Sequence, residues 1–333
     1  MAKLIGESVK RVEDPRFLQG KGKYVANLQI PGMAHVAIKR SPYAHAKITN
    51  VDTAEAASAP GVLAVFTGQE LIDGGVGKLP CGWLVPDIKV PTRWPVVPVG
   101  DKVRHVGDAV AVVVAETPYQ AEDALDLIDV SYEALPAVVD ARKAMEPGQP
   151  QLHDDIPNNV TYTWALGDKA AVDQAFQAAA HVVELDLVNQ RLIANAMEPR
   201  AAAAQWHAAT EEMTVWTTSQ NPHPIRLLLS AFTLGIPEHK LRVISPDVGG
   251  GFGSKIFHYP EEIIVPWVAR KINRPVRWVA TRSESFMTDS QGRDHITQCK
   301  MALDADGKIT ALHVETWADH GGYLSTFAPL IPT

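Results

Sequence analysis

The sequence contains 333 residues, of which 46% are hydrophobic and 21% are charged, and it carries a formal net charge of −7. This length allows two or three domains with buried cores. A negative balance without a long basic run argues against nucleic acid or an anionic membrane surface as the main partner. No stretch approaches the roughly 20 apolar residues of a membrane span, and the first residues hold no apolar signal core. We therefore expect a cytoplasmic protein without a membrane span.

The first part of the chain predicts an extended arm followed by a small α/β unit. Charge and glycine dominate residues 6–27, which predicts an arm rather than a packed element. Short apolar runs predict strands at 33–41, 62–67, 109–115 and 130–139. Thr117 and Pro118 suit the N-cap and the first turn of a predicted helix over 118–128. The proline-rich stretch 78–98 predicts an ordered but irregular loop, since proline interrupts regular elements.

The second part of the chain predicts helices and strands in alternation. A helix capped by Asp168 is the first of three predicted helices, at 169–180, 221–235 and 260–272. The predicted strands lie at 181–189, 201–206, 213–218 and 276–280, followed by a hairpin of 296–304 with 309–316. We therefore expect a mixed α/β (α+β) fold divided into an arm at 1–18, an α/β domain at 19–143, a linker at 144–160 and a second domain at 161–333.

The stretch 240–255 combines a short β-branched run with four glycines in the five positions 249–253. Glycine at this density is costly in chain entropy and favours places where the backbone approaches another group closely. A strand, a glycine loop and a helix in this order point backbone N–H groups at an anionic ligand. Ser254 breaks both the P-loop and the dinucleotide-binding spacing. A different ligand, or a tight turn without any ligand, remains open.

Two polar residues near predicted strand ends are candidates for chemistry. The Gln220 amide both donates and accepts hydrogen bonds, so it could bond a metal-oxo group without supplying charge, although a cap of the following helix is the simpler interpretation. Glu198 could act as a general base. The neighbouring Arg200 instead favours a structural ion pair, because a nearby guanidinium lowers the pKa of a carboxyl group. His35 and His45 lack metal-ligand spacing and are expected to be packing or surface residues.

The remaining polar candidates are less specific. The cluster of Asp289, Arg293, Asp294 and His295 predicts either the lining of a site or a solvated loop at a strand entrance. The two cysteines, Cys81 and Cys299, are too few for a cysteine-ligated iron–sulfur cluster or a cysteine zinc site within this chain.

Seven segments occur in an order that resembles one known family. They are RVEDPRFLQGKGKYVANL, RSPYAHAKI, PGVLAVFTG, VGDAVAVVVAE, AMEPRAA, TSQNPH and PDVGGGFGSK. Together they resemble the large, molybdopterin-binding subunit of the xanthine oxidase family of molybdenum hydroxylases, with the greatest similarity to the aerobic carbon monoxide dehydrogenase branch. The resemblance extends from about Gly6 to Thr333, and it implies a hammerhead domain at 19–143 followed by the first part of a molybdenum-cofactor domain.

The resemblance also implies roles for particular residues. Gln220 matches the glutamine whose amide hydrogen-bonds an oxo group of molybdenum, and 250–253, with Phe252 at its tip, matches the loop that approaches the same centre. The metal is then held by the dithiolene of a pterin cofactor, with a cytosine dinucleotide as one form, and by no protein side chain. Ile256 stands where xanthine-oxidising members place a substrate-binding glutamate, so the substrate pocket formed with Phe252 disfavours a purine. An aldehyde, another N-heterocycle or a similar small molecule remains open.

Partners follow from the same resemblance. Family large subunits are longer, so we expect the general-base glutamate on a chain that supplies the missing C-terminal half, and iron–sulfur and FAD subunits that accept the electrons. The isolated chain is then expected to be inactive and prone to aggregate through exposed sheet edges. The alternative hypothesis is a non-catalytic, truncated relative that acts only as a scaffold or interaction module. A nucleotide-binding enzyme is disfavoured by the failed spacing tests.

Overall fold

A computed structural model describes residues 5–333. The predicted arm at 1–18 therefore begins outside the described residues and is tested only from Ile5 onward. Within the described part, none of the helices is both long enough and apolar enough to cross a lipid bilayer.

Short helices alternate with strands along the chain, which confirms the predicted mixed α/β class. The α-helices are α1 Asp14–Leu18, α2 Ala54–Ser58, α3 Gly68–Asp73, α4 Pro118–Leu125, α5 Ala141–Ala144, α6 Lys169–Gln177, α7 Pro222–Leu228, α8 Pro260–Ile272 and α9 Arg282–Thr288. The strands are β1 Ala34–Arg40, β2 Ala46–Asp52, β3 Val62–Thr67, β4 Lys102–Val103, β5 Ala109–Ala115, β6 Asp129–Ala134, β7 His181–Asn189, β8 Ala201–His207, β9 Glu212–Thr217, β10 Leu241–Ile244, β11 Val276–Val279, β12 His295–Leu303 and β13 Ile309–Ala318.

A seven-stranded sheet in the order β10-β9-β8-β11-β1-β5-β3 is the centre of the fold. It joins strands from both predicted domains, because β1 pairs in parallel with β11 through Ala34↔Val276 and His35↔Arg277. Two three-stranded sheets, β13-β12-β7 and β4-β2-β6, complete the strand structure. The polypeptide before residue 116 and the polypeptide after residue 200 are therefore hydrogen-bonded through one continuous sheet.

The core forms because most side chains that the central strands and α8 bury are apolar, although α8 also buries Glu261 and Glu262. All seven residues of β5 are buried, and ten residues of α8 are buried, among them Ile263, Ile264 and Val268. α8 packs on β8, β9 and β11. Each fully buried Ile or Val side chain contributes about 1.5–3 kcal/mol relative to an exposed one. This packing fixes the strand ends from which the glycine loop and Gln220 extend.

Most predicted elements lie where the local pattern placed them. α8 has the predicted bounds, and Thr117 caps α4 by accepting a hydrogen bond from the Gln120 N–H at 3.3 Å. The helix predicted over 221–235 is α7 followed by a π-helical turn at Leu229–Thr233. The strand predicted over 130–139 ends at Ala134, before Pro136. The sequence patterns did not predict α1, α2, α3, α9, β2 and β4, which are mostly too short to show a hydrophobic period.

The arm is packed more firmly than its composition indicated. Val25 is fully buried against Ala201 and Ala203 of β8, so the prediction of an unpacked arm is wrong at its C-terminal end. Arg16 forms a two-pronged ion pair with Asp247, its second nitrogen lying 2.8 Å from Oδ1. The Lys23 N–H donates to the same carboxylate at 2.6 Å. The arm is thereby attached just before the glycine loop.

The Arg16–Asp247 pair predicts a pH-dependent attachment. The hydrogen bond from Arg16 is the main cause that lowers the pKa of Asp247 to about 2. Because this folded-state pKa is depressed, the attachment is complete above the unfolded pKa of about 3.9 and is lost as the pH falls toward 2. At neutral pH we expect Arg16→Met to speed hydrogen exchange of residues 16–27 by about two- to fivefold, the scale of a partly exposed ion pair.

Arg11→Met is the matched control for this change, because Arg11 pairs with Glu13 and Asp14 and lies over the Phe17 ring, all within the arm. It should leave exchange of residues 16–27 unchanged. Equal exchange rates in both variants would show that the Asp247 contact does not hold the arm.

Candidate functional site

The glycine loop follows β10 and lies at the edge of the central sheet. Gly250, Phe252 and Gly253 have φ angles of +102°, +50° and +86°, a left-handed backbone that glycine adopts easily and phenylalanine rarely does. The Phe252 side chain is 74% exposed. The loop ends in a short 3₁₀ turn at Ser254–Ile256, after which α8 begins. A large aromatic side chain is thus held outward on a strained tip.

Gln220 lies across this loop rather than on the helix that follows it. The Gly253 N–H donates to Gln220 Oε1 at 3.0 Å, and the Gln220 N–H donates to the Lys255 carbonyl at 2.8 Å. A Cβ atom at Gly251 would lie 2.4 Å from Gln220 Cδ. The N-cap of α7 is Asn221, without a side-chain cap bond. The simpler interpretation of Gln220 as a helix cap is therefore wrong, and the glycine at 251 is required by the close approach of the glutamine.

The loop and Gln220 present hydrogen-bond donors outward. Within residues 5–333, no hydrogen bond uses the backbone N–H groups of Gly251 and Phe252 or the Gln220 Nε2. Successive backbone N–H groups in a turn that contains left-handed residues are able to form a concavity for anionic groups. No cluster of three or more His, Cys, Asp or Glu side chains suited to a metal occurs in the described chain.

Below the loop, Glu198 is paired with Lys255. Glu198 Oε2 accepts a hydrogen bond from the Gly249 N–H at 2.7 Å and lies 3.2 Å from Lys255 Nζ. The expected ion pair between Glu198 and Arg200 is wrong, because Glu198 pairs with Lys255 whereas Arg200 pairs with Glu261 and Asp289. Burial lowers the pKa of Lys255, against the opposing effect of Glu198. Sequence patterns do not predict a role for Lys255, because Ser254 breaks the P-loop spacing that would give the lysine a meaning.

Arg200 occupies a separate buried ion network. Its Nη1 lies 2.6 Å from Glu261 Oε2, and its Nε bonds Asp289. Arg40, on β1, reaches the second oxygen of Glu261 at 2.7 Å. Burial by itself would raise the pKa of Glu261, but the guanidinium groups of Arg200 and Arg40 hold it well below its usual range. The network ties α8, α9 and β1 together directly behind the site.

The other polar candidates lie away from the loop. Of the predicted polar cluster, Asp289 belongs to the Arg200 network, whereas Asp294 pairs with Arg191, so the cluster does not act as one site. His45 is buried and its Nδ1 lies 2.8 Å from the Pro136 carbonyl oxygen, which confirms a packing role. Ile256 is half-buried at the end of the loop turn, where its carbonyl accepts from Asn221 Nδ2 at 3.1 Å.

Two family models match the chain. The "Molybdopterin cofactor-binding domain" model covers residues 152–333, and the "Aldehyde oxidase and xanthine dehydrogenase, a/b hammerhead domain" model covers residues 19–136. The fold and the loop thus define a chain with a hammerhead domain followed by a molybdopterin cofactor-binding domain.

Similarity to known proteins supports the same class of protein. The chain is 38% identical to the carbon monoxide dehydrogenase large chain of Afipia carboxidovorans over 94% of its own length and 39% of the relative's. It is 36% identical to the nicotine 6-hydroxylase large subunit of Paenarthrobacter nicotinovorans, covering 96% of this chain and 38% of that one. The solved structure of quinoline 2-oxidoreductase from Pseudomonas putida 86 superposes with a TM-score of 0.89 at 37% identity, covering 96% of this chain and 40% of that chain.

The chain therefore belongs to the xanthine oxidase family. It spans about two fifths of the length of these relatives.

Proposed function

We propose that this chain is part of the molybdopterin-binding subunit of a molybdenum hydroxylase. The substrate would be an aldehyde, an N-heterocycle or a similar small molecule, with water as the source of oxygen. The electrons would pass to partner subunits that carry iron–sulfur clusters and FAD. The observation that carries the proposal is the contact of Gln220 with the loop at Gly251 and Gly253, where the amide Nε2 and the N–H groups of Gly251 and Phe252 have no hydrogen-bond partner among residues 5–333.

The residues present fit a molybdenum–pterin cofactor. Such a group brings its own sulfur ligands to the metal and offers oxo groups as acceptors, so it needs donors rather than metal ligands from the protein. Gln220 Nε2 and the N–H groups of Gly251 and Phe252 are donors of that kind. Bound there, the molybdenum would supply an acidified hydroxyl group and an electron sink. Gln220, Gly250, Gly251, Phe252 and Gly253 would hold and orient it.

The same side of the loop would shape the substrate pocket. Phe252 offers an exposed aromatic face, on which a flat ring could stack. Ile256 supplies an apolar side chain and no charge at the end of the loop. This combination favours an uncharged substrate over one that needs a carboxylate partner. We assign the general base to polypeptide outside this sequence, because two carboxylates next to the loop are already bonded: Glu198 to Gly249 and Lys255, and Asp247 to Arg16 and Lys23.

Isotope incorporation tests the proposed reaction. The native assembly that contains this chain should oxidise at least one aldehyde or N-heterocycle in the presence of an artificial electron acceptor and ¹⁸O-labelled water. We expect the product to gain ¹⁸O from water, because hydroxylation by molybdenum takes its oxygen from solvent. Label arriving from O₂, or a molybdenum-loaded assembly that oxidises neither substrate class, would contradict the proposal. An assembly free of molybdenum would favour the scaffold hypothesis.

A further inference from the structure

Both ends of the glycine loop are fastened to the same residue. At its start, Gly249 and Glu198 are joined twice: the Gly249 N–H donates to the carboxylate at 2.7 Å, and the Glu198 N–H donates to the Gly249 carbonyl at 3.1 Å. At its end, Lys255 Nζ donates to the Glu198 carbonyl at 2.7 Å and lies 3.2 Å from the carboxylate. Glu198 therefore closes the loop at its base.

Lys255 also connects this base to Gln220. Its side chain points to Glu198, while its carbonyl accepts from the Gln220 N–H at 2.8 Å and from Ser219 Oγ at 3.3 Å. A shift of Lys255 would thus move the backbone of Gln220 together with the loop. The pair is shielded from water, since the Lys255 and Glu198 side chains are only 1% and 12% exposed. Loss of one partner from such a shielded ion pair costs much more stability than loss of one partner from a surface pair.

The tight fit at Gly249 shows how closely the carboxylate side chain supports the loop. A Cβ atom at this position would lie 2.6 Å from Glu198 Cβ. The second carboxylate oxygen of Glu198, Oε1, is buried and has no hydrogen-bond partner among residues 5–333. A carboxylate with one unpartnered oxygen depends more strongly on the two donors that it does have.

We propose that Glu198 and Lys255 are positioning residues, a buried ion pair that holds the glycine loop and Gln220 in the arrangement that presents their donors outward. The positioning itself follows from the contacts within this chain. Its consequence for cofactor binding rests on the function proposed above. Neither residue touches the cofactor in this account; both act through Gly249 and through the backbone of Gln220.

Hydrogen exchange of the native assembly tests the inference residue by residue. In Lys255→Met the buried carboxylate loses its counter-charge, and we expect the amide hydrogens of Gln220 and Gly253 to exchange about tenfold faster or more, because their partners move with the loop. Glu198→Gln retains an acceptor for the Gly249 N–H but leaves the ammonium unpaired, so exchange should rise in the same peptides. The double variant Glu198→Gln/Lys255→Met is neutral and should exchange more slowly than Lys255→Met alone.

The matched control is Lys240→Met. Lys240 also pairs with a glutamate, Glu211, at 2.8 Å, but this pair lies near the surface at the opposite end of β10. This variant should leave exchange at the loop unchanged. If Lys255→Met does not fold, Glu198→Gln decides the question alone. Unchanged loop exchange in Glu198→Gln, or a double variant that exchanges faster than Lys255→Met, would overturn the inference.

Molybdenum content, measured on the same wild-type sample, separates this inference from the proposed function. A metal-free wild type whose loop exchange still depends on Glu198 and Lys255 would reject the function and leave the positioning pair standing. A molybdenum-loaded wild type whose loop exchange does not change in the Glu198 and Lys255 variants would support the proposed function and reject the positioning pair.

Discussion

Replacing Gly251 with alanine should lower the turnover of the native assembly by about 100-fold to 1000-fold, the loss observed when one positioned donor is removed from an active site. The new methyl group would lie 2.4 Å from Gln220 Cδ, far inside van der Waals contact. Gln220 is the movable partner, so it must leave the loop and give up its hydrogen bond with the Gly253 N–H. The hydrogen-bond donors of Gln220 and the loop would then lose their arrangement, although the polypeptide remains folded.

Two variants isolate the cause of the Gly251→Ala effect. Gly292→Ala adds the same methyl group where no atom lies within 4 Å, and it should retain turnover. The double variant Gly251→Ala/Gln220→Ala removes the clash, so it should restore the protection of the Ser254 and Ile256 amide hydrogens, which bond within the loop. Turnover and the protection of the Gly253 N–H should not return, because its acceptor is gone. If Gly251→Ala keeps nearly full turnover, or if the double variant regains it, Gln220 does not have the proposed role.

The second large effect is expected on stability. Arg200→Met should lower the free energy of unfolding by about 3–5 kcal/mol, the cost of removing one partner from a buried ion pair. The change leaves Asp289 without its guanidinium partner and leaves Glu261 with Arg40 alone. It also removes the guanidinium that lies 3.7 Å from the centre of the Tyr259 ring. Urea unfolding of the native assembly, followed by tryptophan fluorescence, measures the loss.

Arg226→Met is the comparison for this experiment, because Arg226 pairs with Glu238 at 2.9 Å where both side chains are more than 40% exposed. That variant should cost about 1 kcal/mol or less. Lowering the pH should also lower the free energy of unfolding of the wild type, as Arg200→Met does. The depressed pKa of Glu261 gives a contribution that is present above the unfolded value of about 4.3 and is lost as the pH falls below it. Equal destabilisation by the two arginine variants would show that the buried network adds no stability.

The sequence predicted the helices and strands whose pattern lies within one short segment. The fully apolar run of β5, the helix α4 with its Thr117 cap and initial Pro118, and the hairpin β12–β13 each show their pattern within one segment. The joining of both halves in one sheet could not be predicted in this way. It depends on the parallel pairing of β1 with β11 across more than 200 residues of sequence, for which no short pattern exists.

The sequence predicted the glycine loop and Gln220 as parts of the candidate site, but it did not predict the ion pairs around them. Glycine density identified the loop, and position between a strand and a helix identified Gln220. The adjacency of Glu198 and Arg200 in sequence, by contrast, led to the wrong ion pair. Residues two apart on an extended strand share a face, but Glu198 lies in a bend before β8, so it contacts Lys255 while Arg200 contacts Glu261. Only the three-dimensional arrangement shows that Lys255 supports the loop.

Molybdenum content of the purified native assembly is the most direct test of the central claim, that Gln220 and the loop at 250–253 hold a molybdenum–pterin cofactor. Elemental analysis should be made on the wild type and on Gly251→Ala, with Gly292→Ala as the control. We predict near-stoichiometric molybdenum in the wild type and the control, and a clear loss in Gly251→Ala. A wild-type assembly that is folded, complete with its partner chains and free of molybdenum would contradict the claim.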